Sequence, residues 1–595
     1  MTGDVADPSD LRKQRANFLA RLDEPVSPPG SRIATPTPSA VQVAINASNE
    51  LNETTKPSPV EENVSRSSTD RAPENESEDD PTARANTDHS QSIKMIPSPF
   101  KLTKIRDLPA SDNVDTISLH DILGNPLIRE AWVLNYCFDV DWMMQYFDPD
   151  IRDSVQVRVI HGSWKKEDRN RIYIEEACQK WKNVRADRAY LPDAFGTHHS
   201  KMFVLFTHDD TAEVIIHTAN MLQKDWTNMA QAVWRSGPLP LLPKGEMSAA
   251  LDLNKAGSIG SGTRFKYDLL TYLAAYKRPC QALIEDLVLY DFASVRGALV
   301  ASVPAKIRSD QTFTEPRNHP WGYPQLREVV KYVSSTKPQQ SPAPHLVAQV
   351  SSIATLPSTW FKGLVDASRS DSRPYSLPSS VSIIFPTAPN VAGSLDGYSA
   401  GGSIHTKAQS EAHLKQIEGL RPHLCQWARG TNQDARSGRC LAAPHIKTYV
   451  QYSSKPTKEN VEAKALNIDW ALVTSANLST QAWGSLPKPA ARNKPAEGPV
   501  HIQSFEIGVL VWPELFLDVN EAPRPVGQRK AIMVPVFGKD SPSNNTQGME
   551  NGDVVVGFRM PYDLPLTRYG DKELPWSPHN AYYTPDSNGM LWQGW

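Results

Sequence analysis

Cysteine is scarce, with five in 595 residues: Cys137, Cys178, Cys280, Cys425 and Cys440. No two form a C-x-x-C pair. An odd, scattered set speaks against a zinc finger, an iron–sulfur centre or a disulfide scaffold, and it fits a reducing compartment. No apolar run approaches the ~18 residues that a membrane-spanning helix needs. Met1 to Asp10 holds acids and no apolar stretch, so no secretory leader is expected. Net charge is small as well: 63 basic residues against 66 acidic give −3. That excludes a uniformly basic nucleic-acid coat and leaves room for a local basic groove. The expectation is an intracellular protein with enough chain for two domains.

The first 95 residues lack almost everything a core needs. They hold one aromatic, Phe18, and ten prolines, and their ten basic and sixteen acidic residues net −6, leaving +3 for the other 500. Ser, Thr, Asn, Glu and Pro dominate from Pro25 to Ser92. Such a segment buries too little apolar area to offset its ordering entropy, so a disordered tail over 1–95 is expected. Within it, Leu11, Phe18, Leu19 and Leu22 give Asp10 to Leu22 one apolar helical face. Arg12-Lys13-x-Arg15 is too short for a strong nuclear-import signal.

Order is expected from Pro97. Asp115 to Gly124 and Glu130 to Tyr146 mix helix and strand patterns. Val155 to Ile160 alternates as a strand. Lys201 to Phe206 and Glu213 to His217 read as a hairpin around His208-Asp209-Asp210. Pro238 to Thr263 reads as a loop, and Asp268 to Tyr276 as a helix. A second cycle follows: strands at Leu346 to Ile353 and Ser380 to Phe385, a turn region at Gly393 to Ser403 and a helix over Ala408 to Trp427. Further strands are expected at His445 to Tyr452, Trp470 to Thr474 and Phe505 to Val511. Two similar cycles predict an α/β protein of two related halves, mixed sheets flanked by helices, over 96–315 and 316–595.

The halves share chemistry as well as outline. His199-Ser200-Lys201 opens a strand in the first, and Thr218-Ala219-Asn220 closes the next. His445-Ile446-Lys447 and Thr474-Ser475-Ala476-Asn477 repeat the arrangement. On a strand, residues i and i+2 share a face, so His and Lys project together and the Asn can reach them. Two such sets would surround one point with two imidazoles, two ammoniums and two amides. These groups suit displacement at phosphorus: the lysines and asparagines stabilise charge on non-bridging oxygens, one imidazole attacks, and the other protonates the leaving oxygen. No carboxylate cluster of the kind that holds Mg²⁺ accompanies them, so neither a metal nor any other cofactor is expected. His161, His198 and His217 read as scaffold histidines, and His198-His199 lacks a third metal ligand at suitable spacing.

Four segments carry a resemblance: Gly196-Thr-His-His-Ser-Lys-Met202, Ile215-Ile-His-Thr-Ala-Asn220, Pro444-His-Ile-Lys-Thr-Tyr449 and Val473-Thr-Ser-Ala-Asn-Leu-Ser479. So do Asn135-Tyr-Cys-Phe-Asp-Val-Asp-Trp142, Gly393-Ser-Leu-Asp-Gly-Tyr398, Gly401-Gly402-Ser403, Glu506-Ile-Gly508 and Pro561-Tyr-Asp-Leu-Pro565. From about Pro97 onward the chain resembles the tyrosyl-DNA phosphodiesterase family, in its fungal form. This is the branch of the phospholipase D superfamily with Asn in place of the usual motif Asp. The resemblance implies two phospholipase D-like halves related by a pseudo-twofold axis. It implies His199 as nucleophile and His445 as general acid and then base. Lys201, Lys447, Asn220 and Asn477 would bind phosphate oxygens, and Gln231 and Glu506 would orient the histidines. Tyr136, Phe195, Ser352, Ser403 and Ser479 match positions of a single-stranded DNA groove. The implied substrate is a DNA 3′-phosphotyrosyl end left by a trapped type IB topoisomerase and its peptide. The implied products are a 3′-phosphate and tyrosine or peptide, the implied setting DNA repair in the nucleus. Other 3′ adducts would be secondary substrates. The duplication within one chain suggests a monomer, with no membrane partner.

The alternatives are a phosphodiesterase on lipids or other nucleic-acid ends, and a non-catalytic DNA-binding scaffold. A lipid enzyme would want a membrane-recruiting module, and a scaffold would not need both histidines. The interval from Lys447 to Asn477 exceeds that from Lys201 to Asn220, and its polar residues Lys455 to Lys464 read as an exposed insertion. Pro238 to Thr263, Gly430 to Arg439 and Gly538 to Gly552 read as variable excursions.

Overall fold

The structure, a computed structural model, describes residues 93–243, 257–308, 319–335, 343–369, 375–428, 436–485, 499–517, 529–543 and 548–595. The tail up to residue 92, with the helical face expected over Asp10 to Leu22, lies outside the described residues. So do parts of all three variable excursions. The described chain opens with the strand Lys94–Ile96, which pairs in parallel with Val554–Arg559. Its first two residues fall inside the segment that composition sets apart.

Two mixed sheets carry the fold. In the first, Ala232–Arg235, Thr211–His217, Met202–Thr207, Ile128–Leu134, Gln156–His161 and Val184–Arg188 lie side by side in that order. In the second, the order is Glu506–Val511, Ile468–Thr474, Thr448–Tyr452, His345–Gln349, Val381–Ile384 and Leu424–Cys425. Pairing senses match strand for strand, antiparallel across the first four of each and parallel across the last three. The chain therefore holds two copies of one six-strand pattern. The strand Ala298–Ser302 extends the second sheet by pairing with Glu506–Val511, and Phe100–Leu102 edges the first.

Local sequence explains the hairpin at the centre of the first copy. Met202–Thr207 and Thr211–His217 are rich in β-branched and aromatic residues and are largely buried. Between them Asp210 takes the left-handed conformation (φ 60°). The Asp209 carboxylate accepts the Thr211 hydroxyl at 2.9 Å. Asp tolerates that conformation and bonds its local backbone, which is why it marks such turns. A large core spans both sheets, joining Val204, Val214 and Ile216 to Val450, Val473 and Val509, while each sheet has a second core on its outer face. Fully burying one such aliphatic side chain stabilises by about 1.5–3 kcal/mol.

Four local expectations are corrected. The helix expected over Ala408 to Trp427 runs only over Glu411–Leu420. Pro422 follows, and Leu424–Cys425 is claimed as a strand by Ile383 and Ile384. The helix expected from Asp268 begins earlier, at Gly262, where Ser261 caps it by accepting the Arg264 N–H. The insertion 455–464 contains the helix Lys458–Glu462 with a Thr457/Asn460 capping box and a buried Val461, so it is partly a packed element. Arg439, at the end of an expected surface excursion, is fully buried and donates to the carbonyls of Asp112 and Gly438.

Candidate active site

Alternation on one short segment sorts its side chains into two environments. His198 and Ser200 point inward. His198 bonds the Asn135 carbonyl and the Tyr276 hydroxyl, each at 3.0 Å, and Ser200 bonds the Tyr272 and Tyr276 hydroxyls. Burial pushes His198 down to about 3, so it stays neutral and serves as scaffold. His199 and Lys201 take the other face. Gly162 lets the neighbouring loop lie against this segment, since a Cβ there would sit 2.5 Å from the His198 Cβ.

Each histidine is held by the opposite half. The His199 N–H donates to the Phe505 carbonyl at 3.0 Å, and His199 Nδ1 lies 2.9 Å from Glu506 Oε2. The His445 N–H donates to the Ala230 carbonyl at 3.2 Å, and His445 Nδ1 lies 3.0 Å from Gln231 Nε2. Phe505 precedes Glu506 as Ala230 precedes Gln231, so the two arrangements are copies of each other. Lys201 Nζ donates to the His199 carbonyl at 3.1 Å, and Lys447 Nζ makes the same bond to His445. Both lysine residues are buried.

The correspondence continues behind the histidines. Thr218 Oγ1 accepts the Ala232 N–H at 3.0 Å and donates to Gln231 Oε1 at 2.7 Å. Ser475 Oγ accepts the Ile507 N–H at 2.9 Å and donates to Glu506 Oε2. Trp226 Nε1 donates to the Asn220 carbonyl and Trp483 Nε1 to the Asn477 carbonyl, each at 3.0 Å. Thr218, Asn220, Trp226 and Gln231 thus correspond in turn to Ser475, Asn477, Trp483 and Glu506.

The electrostatics follow from burial and neighbours. His199 keeps 15% of its side chain exposed. Burial lowers its basicity, Lys201 and Lys447 push the same way, and Glu506 opposes them. Burial alone would raise Glu506; the facing His199 and the Ser475 hydroxyl outweigh it and hold the carboxyl below its ordinary value. The pair is a neutral imidazole donating Nδ1–H to a carboxylate, which leaves the Nε2 lone pair available. The charge of Lys447 acts on His199, and the charges of both lysines act on Asp225, so the two motifs share one electrostatic environment.

Sequence reasoning missed Asp225. It lies on the short helix Gln223–Thr227, fully buried, with Oδ1 2.8 Å from His445 Nδ1. The same oxygen accepts the Asn220 N–H at 2.9 Å and Gln231 Nε2 at 3.1 Å. Burial raises this carboxyl, while Lys224, the Asn220 N–H, Lys447 and Lys201 pull it back. A readable signal existed: Asn-x₄-Asp-Trp in the first half stands against Asn-x₄-Ala-Trp in the second.

The expected groove residues are less uniform. Tyr136 meets the His199 ring edge-on at 5.4 Å, and Lys201 Nζ lies 5.8 Å from its centroid. Phe195 is 37% exposed. The backbone N–H of Ser352 donates to Asn477 Oδ1 at 2.9 Å, which ties Ser352 to the site. Ser479 caps the helix Thr480–Trp483, accepting the Ala482 N–H at 3.1 Å. Ser403 ends the 3₁₀ helix Gly397–Ser403 and is buried. Among the described residues, no helix is long and apolar enough to cross a membrane.

Comparisons with known proteins agree with this architecture. Residues 99–570 match the family model described as tyrosyl-DNA phosphodiesterase. A relative in Schizosaccharomyces pombe, named a probable tyrosyl-DNA phosphodiesterase, is 30% identical over 558 residues, covering 84% of this chain and 97% of the relative. Tyrosyl-DNA phosphodiesterase 1 of Arabidopsis thaliana is 29% identical over 84% of this chain and 77% of its own length. The crystal structure of the yeast tyrosyl-DNA phosphodiesterase shares the fold. Its TM-score is 0.51 at 19% identity, with 80% of this chain and 98% of that one covered. The matched residues run across both halves and take in every histidine, lysine and asparagine of the paired motifs, and on that ground the chain belongs to the tyrosyl-DNA phosphodiesterase family.

Proposed function

We propose that the chain hydrolyses the phosphodiester joining a DNA 3′ end to the tyrosine of a trapped type IB topoisomerase or its peptide remnant. The observation that carries this reading is the reciprocal support of two histidines, each held at Nδ1 by residues of the opposite half. In the first step His199 Nε2 attacks phosphorus. The bond to the tyrosyl oxygen breaks, and that oxygen takes the Nε2 proton of His445. In the second step His445 Nε2 takes a proton from water as the water oxygen bonds phosphorus and the bond to His199 breaks. A 3′-phosphate and a re-protonated His445 result. Lys201, Lys447, Asn220 and Asn477 offset charge on the non-bridging oxygens in both steps.

Tyr136, Phe195, Ser352, Ser403 and Ser479 would bind the DNA strand next to the reacting end. The setting is DNA repair in the nucleus, with a monomer as the working unit and other 3′ adducts as secondary substrates. The test is a gel assay of a 3′-phosphotyrosyl oligonucleotide in EDTA. Wild type is expected to yield the 3′-phosphate, His199→Ala to abolish cleavage, and His445→Ala to impair it strongly. A wild type that leaves this substrate intact but cleaves another phosphodiester would overturn the substrate. One that shifts DNA without cleaving anything would leave a binding scaffold.

A further inference from the structure

The two copies of the site differ in where one buried charge stands. Position 506 is a glutamate and backs His199 with a carboxylate. Its counterpart, position 231, is a glutamine. The Gln231 amide is oriented by Thr218: the Thr218 hydroxyl accepts from Ala232, so its own hydrogen goes to Gln231 Oε1 and Nε2 must face His445. An amide NH₂ aimed at Nδ1 cannot accept the proton that the matching carboxylate accepts in the other copy.

The missing carboxylate stands six residues earlier. Counting from the paired Asn and Trp anchors, Asp225 occupies the position of Ala482, which is buried and carries no charge. Asp225 Oδ1 reaches the same His445 Nδ1 at 2.8 Å. At that separation two bare lone pairs would repel, so one proton lies between them. The Asn220 N–H and Gln231 Nε2 pin this oxygen in place.

We propose that Asp225 is the positioning residue of the general acid, supplying to His445 the carboxylate that Gln231 lacks and that Glu506 supplies to His199. In this arrangement the carboxylate has moved from one scaffold position to another while its target nitrogen has stayed the same. Asp225 keeps Nδ1 protonated, which commits Nε2 to proton transfer: donation to the tyrosyl oxygen in the first step, acceptance from water in the second. Gln231 is the strut that locks Asp225 to the ring.

The inference rests on the reading of His445 as general acid. It is tested by a rescue and a leaving-group comparison within one assay. Asp225→Ala is expected to slow release of tyrosine by ~10²-fold or more, the usual weight of a general acid. Asp225→Ala combined with Gln231→Glu rebuilds the Ala482/Glu506 arrangement in the first half and should recover at least ~10-fold of that loss. With a 3′-p-nitrophenyl ester, whose leaving group needs no proton, Asp225→Ala should affect the first step by less than ~3-fold while the covalent intermediate accumulates. Equal losses on both esters, no recovery in the double variant, or wild-type rates in Asp225→Ala would each overturn the proposal. Should Asp225→Ala fail to fold, Asp225→Asn keeps the shape and removes the charge; the same split between the two esters is then required. A wild type inactive on both esters would instead defeat the function proposed above, an outcome distinct from any of these.

Discussion

The two halves agree at the atoms proposed to react and differ in what stands behind them. His, Lys and Asn recur at matched places on matched strands, and each Lys bonds its own histidine's carbonyl. Behind them, Glu506, backed by Ser475, faces His199, whereas Asp225 and Gln231, the latter backed by Thr218, face His445. The asparagines differ too. Asn477 Oδ1 accepts the backbone N–H groups of Ser351 and Ser352, while Asn220 Oδ1, also buried, has no hydrogen-bond partner among the described residues. A buried unpaired acceptor costs about 1–3 kcal/mol. A duplicated site can therefore specialise without changing its reacting groups, by changing how each is held.

The sharpest way to break the comparison is at its carboxylates. Glu506→Gln leaves His199 with no anionic partner and is expected to lower kcat by ~10³-fold, whereas Gln231→Ala leaves Asp225 in place and should cost ~10-fold. Single-turnover rates on a 3′-phosphotyrosyl oligonucleotide decide this, and equal losses would mean that the two supports are interchangeable. Next come the lysines. Lys201→Ala and Lys447→Ala should each cost ~10²-fold if both bind the non-bridging oxygens. A much smaller effect of one would show that the phosphate leans on a single half.

Acid should also separate the halves. Burial holds His161 and His345 at about 4 and His198 at about 3, well below the ordinary imidazole value. Their folded-state values are depressed, so the stability they contribute is present above about pH 6.5 and is lost as pH falls toward 4. Each withdraws about 2 kcal/mol at pH 5 relative to pH 7. Two of the three lie in the first half, so amide protection, corrected for the slower intrinsic exchange in acid, should fall more in the first sheet at pH 5; a uniform fall would contradict this. The smallest expected effect is at the hydroxyls. Ser475→Ala and Thr218→Val each remove one bond behind a histidine partner and should slow turnover ~10-fold or less. The Thr218 variant should be the milder on activity, because Asp225 still faces His445.

Much of this was legible in the sequence because it is periodic or repeated. The hairpin strands announce themselves by apolar runs around an Asp-Asp turn, and the paired His-x-Lys and Asn motifs by their recurrence. Asp225 was not legible in the same way. On a five-residue helix beside Lys224, an aspartate resembles ordinary surface acid, and only the count from Asn220 to Trp226 set against Asn477 to Trp483 exposes it. Arg439 was hidden for a related reason: it follows a polar, glycine-containing stretch, and its burial is decided by the carbonyls of Thr103 and Asp112, more than three hundred residues away. The overlong helix at Ala408 to Trp427 failed because apolar spacing cannot foresee that strand pairing will claim Leu424 and Cys425.

The crossed support of the histidines also sets a clock on synthesis. A ribosome delivers His199 and Lys201 long before Glu506, and Gln231 long before His445. Until the chain has been made past residue 506 and the second sheet has docked, neither imidazole has its partner. A truncated or half-folded product carries His199 without the Glu506 carboxylate that faces it in the folded chain. The catalytic apparatus is in this sense a receipt for completed folding, issued only to a chain that is whole.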